Sequence, residues 1–149
     1  MQTFVPFADL RASARALDSK RLGKQRVETL QIMRALIVPG YGWQNHPATR
    51  MWRGHRPALM AYQRETCAEW AGRGFADTCL EKTEADLAAV PADLAAYRAG
   101  DVVLPPWFGR EDVHLSHRSK LVEKDPEYYA PLFPGTLPGL DYVWPVPAS

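Results

Sequence analysis

The stretch from Ser13 to Val38, SARALDSKRLGKQRVETLQIMRALIV, reads as one long helix, and that reading decides the fold class. With ~100° of turn per residue, Leu22, Leu30, Met33 and Ile37 fall within roughly 60° of one direction and form an apolar stripe for a core. Glu28 lies opposite, and Leu17, Arg21, Lys24, Gln25 and Gln31 fall within about 60° of it. One carboxylate among two cations and two amides has two readings. It is a solvated face carrying an i,i+4 Lys24–Glu28 pair, with the lysine on the less favourable side. Or it is an anion-binding surface with an acid at its centre.

Ser13 is the expected N-cap of this helix, and Pro39-Gly40 ends it. Residues 1–12 read as an extended arm. A second helix is expected from Pro57 to Arg73, and a third from Arg110 or Asp112 to Lys124, closed by Asp125-Pro126. The acidic, alanine-rich segment 82–100 has room for one or two short helices broken near Pro91, and no function is read from it. The tail 125–149, with Tyr128, Tyr129, Phe133, Tyr142 and Trp144, is expected to lie on the body. The strand signal is weak throughout. The expectation is an all-α, compact single domain, residues 1–149, with about three main helices and long ordered loops.

A chain of 149 residues with 46% hydrophobic content can bury a real core. No apolar run reaches the ~20 residues a membrane helix needs, and MQTFVPFADLR lacks the basic start and apolar centre of a secretory signal. Cys67 and Cys79 are expected to be reduced and buried, and the protein to be a cytoplasmic monomer. The net charge of +1 hides a segregation. Met1 to Arg56 holds ten Lys+Arg against three Asp+Glu, and Pro57 to Ser149 holds eight against fourteen. Two explanations stand: a polyanion-binding first third, or two oppositely charged parts that attract each other within the fold.

The loop GYGWQNHPATRMWRGHR interleaves rings and cations. Tyr41, Trp43, Asn45, His46 and Trp52 can line or underlie a base-sized pocket, while Arg50, Arg53 and Arg56 can hold phosphates. The alternative makes Trp43 and Trp52 core anchors. His114 and His117 form an H-x-x-H pair, but no cysteine pair or carboxylate stands at ligand spacing, so no metal and no cofactor is expected. These histidines cap, pack or touch phosphate. His117 and Lys120 are counted with Arg21, Gln25 and Arg26 as candidate DNA contacts. There is no Gly-rich phosphate loop, nucleophile elbow or CxxC motif.

The order Leu17-Asp18, Leu22, Glu28, GYGWQNHP at 40–47, Arg73-Gly74-Phe75 and HLSHRSKLVEKDPEYYAPLFP resembles the pyrimidine-dimer DNA glycosylase family, the endonuclease V type first known from phage. The resemblance runs from about Leu17 to Phe133 and is poor over 82–100. It implies an all-helical protein that binds duplex DNA carrying a base lesion, and a glycosylase coupled to strand cleavage at the abasic site. In that chemistry a free α-amine attacks the sugar, and a helix-borne glutamate stabilises charge and moves protons. Counted from Leu22, that glutamate falls on Glu28. Where the family commonly has an arginine before it, this chain has Val27, with Arg26 one residue earlier. Residue 2 is Gln2, not a small residue, so removal of the first methionine is not expected. The nucleophile is therefore the amine of Met1, that of Gln2 after unusual processing, or Lys24 or Lys20. Two alternatives remain: a DNA- or RNA-binding protein without catalysis, and a glycosylase or hydrolase acting on a free nucleoside or RNA.

Overall fold

The computed structural model describes residues 1–146; the last three residues of the expected tail, 147–149, lie outside the described part. Eight helices and no strand are present among the described residues, in agreement with the all-α expectation. They are α1 (Leu10–Ala16), α2 (Ser19–Ile37), α3 (Pro47–Arg50), α4 (Arg56–Gly72), α5 (Cys79–Leu87), α6 (Pro91–Arg98), α7 (Glu111–Lys124) and α8 (Pro126–Tyr129). The three long ones, α2, α4 and α7, are the three expected main helices. No helix among the described residues is long and apolar enough to cross a membrane.

The expected single helix from Ser13 to Val38 is two helices. Leu17 and Asp18 are extended, and Asp18, not Ser13, caps α2 by accepting from the Arg21 N–H. α1 has its own cap, Asp9. A distant residue fixes the break. The Tyr129 hydroxyl accepts from the Asp18 N–H at 2.9 Å and donates to the Asp18 carboxylate. Burial alone would raise the Asp18 pKa, but the bonds from Tyr129 and Arg21 hold it below the ordinary range. Ser13 is buried and instead holds both polar groups of Phe7. Leu17 leaves the Glu28 face altogether and is fully buried with Leu22, Leu121 and Tyr129.

The larger core packs Ile32 and Met33 of α2 against Leu59, Met60 and Tyr62 of α4, around a Trp52–Trp107 edge contact at 5.1 Å. Gly23 lets Trp70 of α4 lie against α2: a Cβ there would stand 2.9 Å from the ring. Trp70 is itself fixed by stacking on Phe75 and by the Arg26 guanidinium 4.3 Å from its ring centre.

The charge segregation is partly internal. Arg11 and Arg15 pair with Glu65 and Glu69 of α4, Arg26 with Asp77, Arg34 with Asp86 of α5, and Arg56 with Asp93 of α6. The acidic segment contributes to two short helices, and its Asp86 pairs with Arg34 on the side of α2 turned away from Glu28. The cations on the Glu28 side define a different surface, in which Arg21 is also paired with Asp18 and Lys120 with Glu123.

Candidate active site

A cavity of about 480 Å³ opens where the first residues of the chain cross α2 and α7. Met1, Gln2 and Phe4 form one wall. α2 supplies Lys20, Lys24 and Glu28, one turn apart on one face, with Arg21 and Gln25 beside them. α7 adds Lys120 and Lys124, again one turn apart, and the tail closes the cavity with Tyr142. Five cations therefore surround one carboxylate, and the first residue of the chain stands among them. Such a surface attracts a polyanion, and Glu28 is the acid at its centre.

Glu28 is 15% exposed at its side chain. Its Oε2 accepts from the Gln2 N–H at 3.2 Å, and its Oε1 lies 3.6 Å from Nζ of the exposed Lys24. Burial raises the Tyr62 and Tyr142 pKa values, and the nearby Glu28 charge raises both further. His46 senses the same centre. Burial lowers its pKa, the N-terminal ammonium lowers it further, and Glu28 pulls it back up. Its Nδ1 accepts from the Ala48 N–H at 3.0 Å, so the neutral ring carries its proton on Nε2. His46 also touches Trp43 and Trp144 edge-on. Trp43 is half exposed and holds a left-handed backbone, φ 74°, rare for a bulky residue.

The structure brings Met1, Gln2, Arg21, Lys24, Gln25, Glu28 and Lys120 to one cavity and sets His46 beside it. Other expected site residues lie elsewhere. His117 is fully buried and accepts from the Val5 N–H at 2.9 Å, so it presents no face to a phosphate. Arg26 is 13% exposed, pairs with Asp77 and covers Trp70, which removes it from the candidate DNA contacts. Trp52 is a core residue whose Nε1 donates to Thr3 Oγ1 at 2.8 Å, as the core-anchor alternative had it. Gln25 lines the cavity but is buried, its amide spent on the backbone of the arm. Arg56 is tied to Asp93. Arg53 donates to the Gln44 carbonyl at 3.0 Å and lines a separate cavity of about 370 Å³ with His55, Trp107 and Arg110. Tyr41 lies beside Arg34, Arg50 is half-buried in α3 and Asn45 is exposed.

Phe4, Lys124 and Tyr142 were not read from the sequence as cavity residues. The spacing of Lys124 from Lys120, one turn along α7, was a usable signal. For Tyr142 there was none, because a tail without periodicity does not reveal what it covers. Among the described residues no group of His, Cys, Asp and Glu is arranged to hold a metal ion, and both cysteines are free and buried.

The family model for pyrimidine dimer DNA glycosylases matches residues 1–83, more than half of the chain. The chain belongs to the pyrimidine dimer DNA glycosylase family. The matched part holds the arm, α1 to α4, Glu28 and the loop with His46. The cavity walls from α7 and the tail lie beyond it. No curated protein and no solved structure matches the chain.

Proposed function

We propose that the protein removes a damaged or modified pyrimidine from duplex DNA and cleaves the strand at the resulting abasic site, with the α-amine of Met1 as nucleophile. The amine lone pair forms a bond to sugar C1′, the glycosidic bond breaks, and the base leaves with its electron pair and is protonated. Opening of the sugar gives an imine between the chain's first residue and C1′. Loss of a C2′ proton then expels the 3′ phosphate. An α-amine suits the first step because its reference pKa, about 7.7 to 8, leaves an appreciable neutral fraction near neutrality. Glu28 is assigned the stabilisation of positive charge on the sugar and the proton transfers.

One observation carries this reading: the first residue of the chain lines the cavity that holds Glu28, and the next residue's N–H is bonded to that carboxylate. Met1 is assigned in preference to Gln2 because Gln2 is not the small second residue that methionine removal requires; were Met1 removed, the amine of Gln2 would stand at the place from which its N–H now meets Glu28. Lys24 is the nearest competing amine. Lys20, Arg21, Lys24, Lys120 and Lys124 are assigned to the phosphates flanking the lesion. Exposing a lesion inside a duplex needs bending or flipping, for which Trp43 is the exposed aromatic wedge nearest to His46.

The test is incision of UV-irradiated duplex by the wild type and by Glu28→Gln. The expected outcome is a loss of about 100-fold or more in turnover with DNA affinity retained, the size seen when a preorganised charge at a reacting centre is removed. Unchanged incision by Glu28→Gln removes Glu28 from the chemistry.

A further inference from the structure

Among the described residues, the backbone of the arm from Gln2 to Pro6 is bonded by side chains. Gln2 N–H donates to Glu28, and the Gln2 carbonyl accepts from Gln25 Nε2 at 2.6 Å. Phe4 N–H donates to Gln25 Oε1 at 3.0 Å, so one amide grips two residues of the arm, as a neighbouring strand would. The Phe4 carbonyl accepts from the Tyr62 hydroxyl at 2.8 Å. Val5 is gripped on both sides: its N–H donates to His117 Nδ1 at 2.9 Å and its carbonyl accepts from His114 Nδ1 at 2.7 Å. Those bonds need opposite tautomers. His114 carries its proton on Nδ1, and its Nε2 accepts from the Gly109 N–H, whereas His117 keeps Nδ1 bare. The Pro6 carbonyl accepts from Arg118 at 2.8 Å. Helices α2, α4 and α7 thus each hold a defined residue of a segment that has no helix or strand of its own.

The pattern has a register. Sliding the arm by one residue would turn the backbone groups that meet the Gln25 amide and the two histidines to the opposite side, and a slip that brings Pro6 to the place of Val5 would leave His117 without a donor, because Pro6 has no N–H. Each residue of extended chain spans about 3.3–3.6 Å, so a slip of one moves the terminal amine by more than a bond-forming distance. We infer that Gln25 is a positioning residue that sets the reach of the chain's first amine towards Glu28 by fixing the register of the arm, with His114 and His117 as its second anchor. The inference rests on the assignment of that amine as nucleophile. It explains why a buried amide and two buried histidines belong to the same device as the cavity.

Two variants test it. Insertion of one leucine between Met1 and Gln2, a second residue too large for methionine removal, leaves every bond from Gln2 to Pro6 in place and pushes the amine outward. Gln25→Glu keeps the acceptor for Phe4 N–H and loses the donor to the Gln2 carbonyl until it is protonated, when a carboxylic acid offers the same donor–acceptor pair as the amide. The rate of borohydride-trappable imine on an abasic duplex is measured under single turnover, with duplex affinity and the thermal midpoint alongside. The insertion is expected to slow imine formation by about 100-fold or more with affinity within about twofold of wild type. The rate of Gln25→Glu relative to wild type is expected to rise at least about fivefold between about pH 8 and pH 5.5, as the carboxyl is protonated. An insertion variant that traps at the wild-type rate overturns the register. A pH-independent ratio for Gln25→Glu overturns the role of Gln25 even if the insertion is slow. Wild type that gives no trap on the abasic duplex refutes the nucleophile assignment itself.

Discussion

His117→Gln isolates the cost of holding a neutral histidine against the arm. His117 is fully buried, burial pushes its pKa down to about 3, and the neighbouring His114 adds to the downward push. Its Nδ1 must stay unprotonated to accept from Val5 N–H. In the unfolded chain the ring titrates at its ordinary value near 6.5. Between these two values the unfolded state holds a proton that the folded state lacks, so stability falls as the pH falls below about 6.5. At pH 5 the unfolded state gains about 1.5 pH units of protonation free energy, or about 2 kcal/mol, and above about pH 7.5 the penalty vanishes. Glutamine does not titrate, and its Oε1 can take over the acceptor role. The variant should therefore be less stable than wild type by about 1 kcal/mol at pH 7.5, from imperfect packing, and more stable by about 1 kcal/mol at pH 5. Urea unfolding of both proteins at pH 7.5, 6 and 5 measures the difference, and groups common to both, including His46 and the carboxylates, largely cancel in it. A difference that does not change with pH would refute the assignment of His117 as a buried neutral acceptor.

Two further outcomes follow from packing and charge. Gly23→Ala gains about 1 kcal/mol of helix propensity, but its Cβ meets a Trp70 ring held by Phe75, Arg26 and the Ala76 carbonyl. With an overpacking cost of about 1–3 kcal/mol, the net expectation is a loss of up to about 2 kcal/mol in chemical denaturation, and a stabilised variant would show that Trp70 moves freely. Replacing Lys20 and Lys124 by glutamine should reduce the slope of log affinity for duplex DNA against log salt by about 0.9 for each phosphate that is no longer neutralised. An unchanged slope would put the duplex on another face.

The face around Glu28 was legible because the helical period needs only local residues: Lys20, Lys24 and Glu28 are one turn apart wherever α2 packs. The break at Asp18 was not, because the residue that holds it, Tyr129, is 111 positions away and the local period runs unbroken through it. His117 and Arg26 were misread for one physical reason. A polar side chain looks like a surface contact until its partner is known, and the partners here, Val5 N–H and Asp77, lie on distant segments. For His117 a signal existed. It lies within about 60° of Val113, His114 and Leu121 around the helix axis, all buried. The arm was expected to be extended, but nothing in MQTFVPF reveals that its backbone would be bonded by a glutamine, a tyrosine and two histidines from three helices.

The most direct measurement is the site of the covalent bond. Intact protein is incubated with duplex DNA carrying a UV-induced pyrimidine dimer, borohydride is added, and the adduct is mapped by mass spectrometry. The account predicts a reduced imine on the α-amine of Met1, formed by wild type and strongly diminished in Glu28→Gln. An adduct on Lys24 or another lysine, or no adduct despite measurable duplex binding, would contradict it.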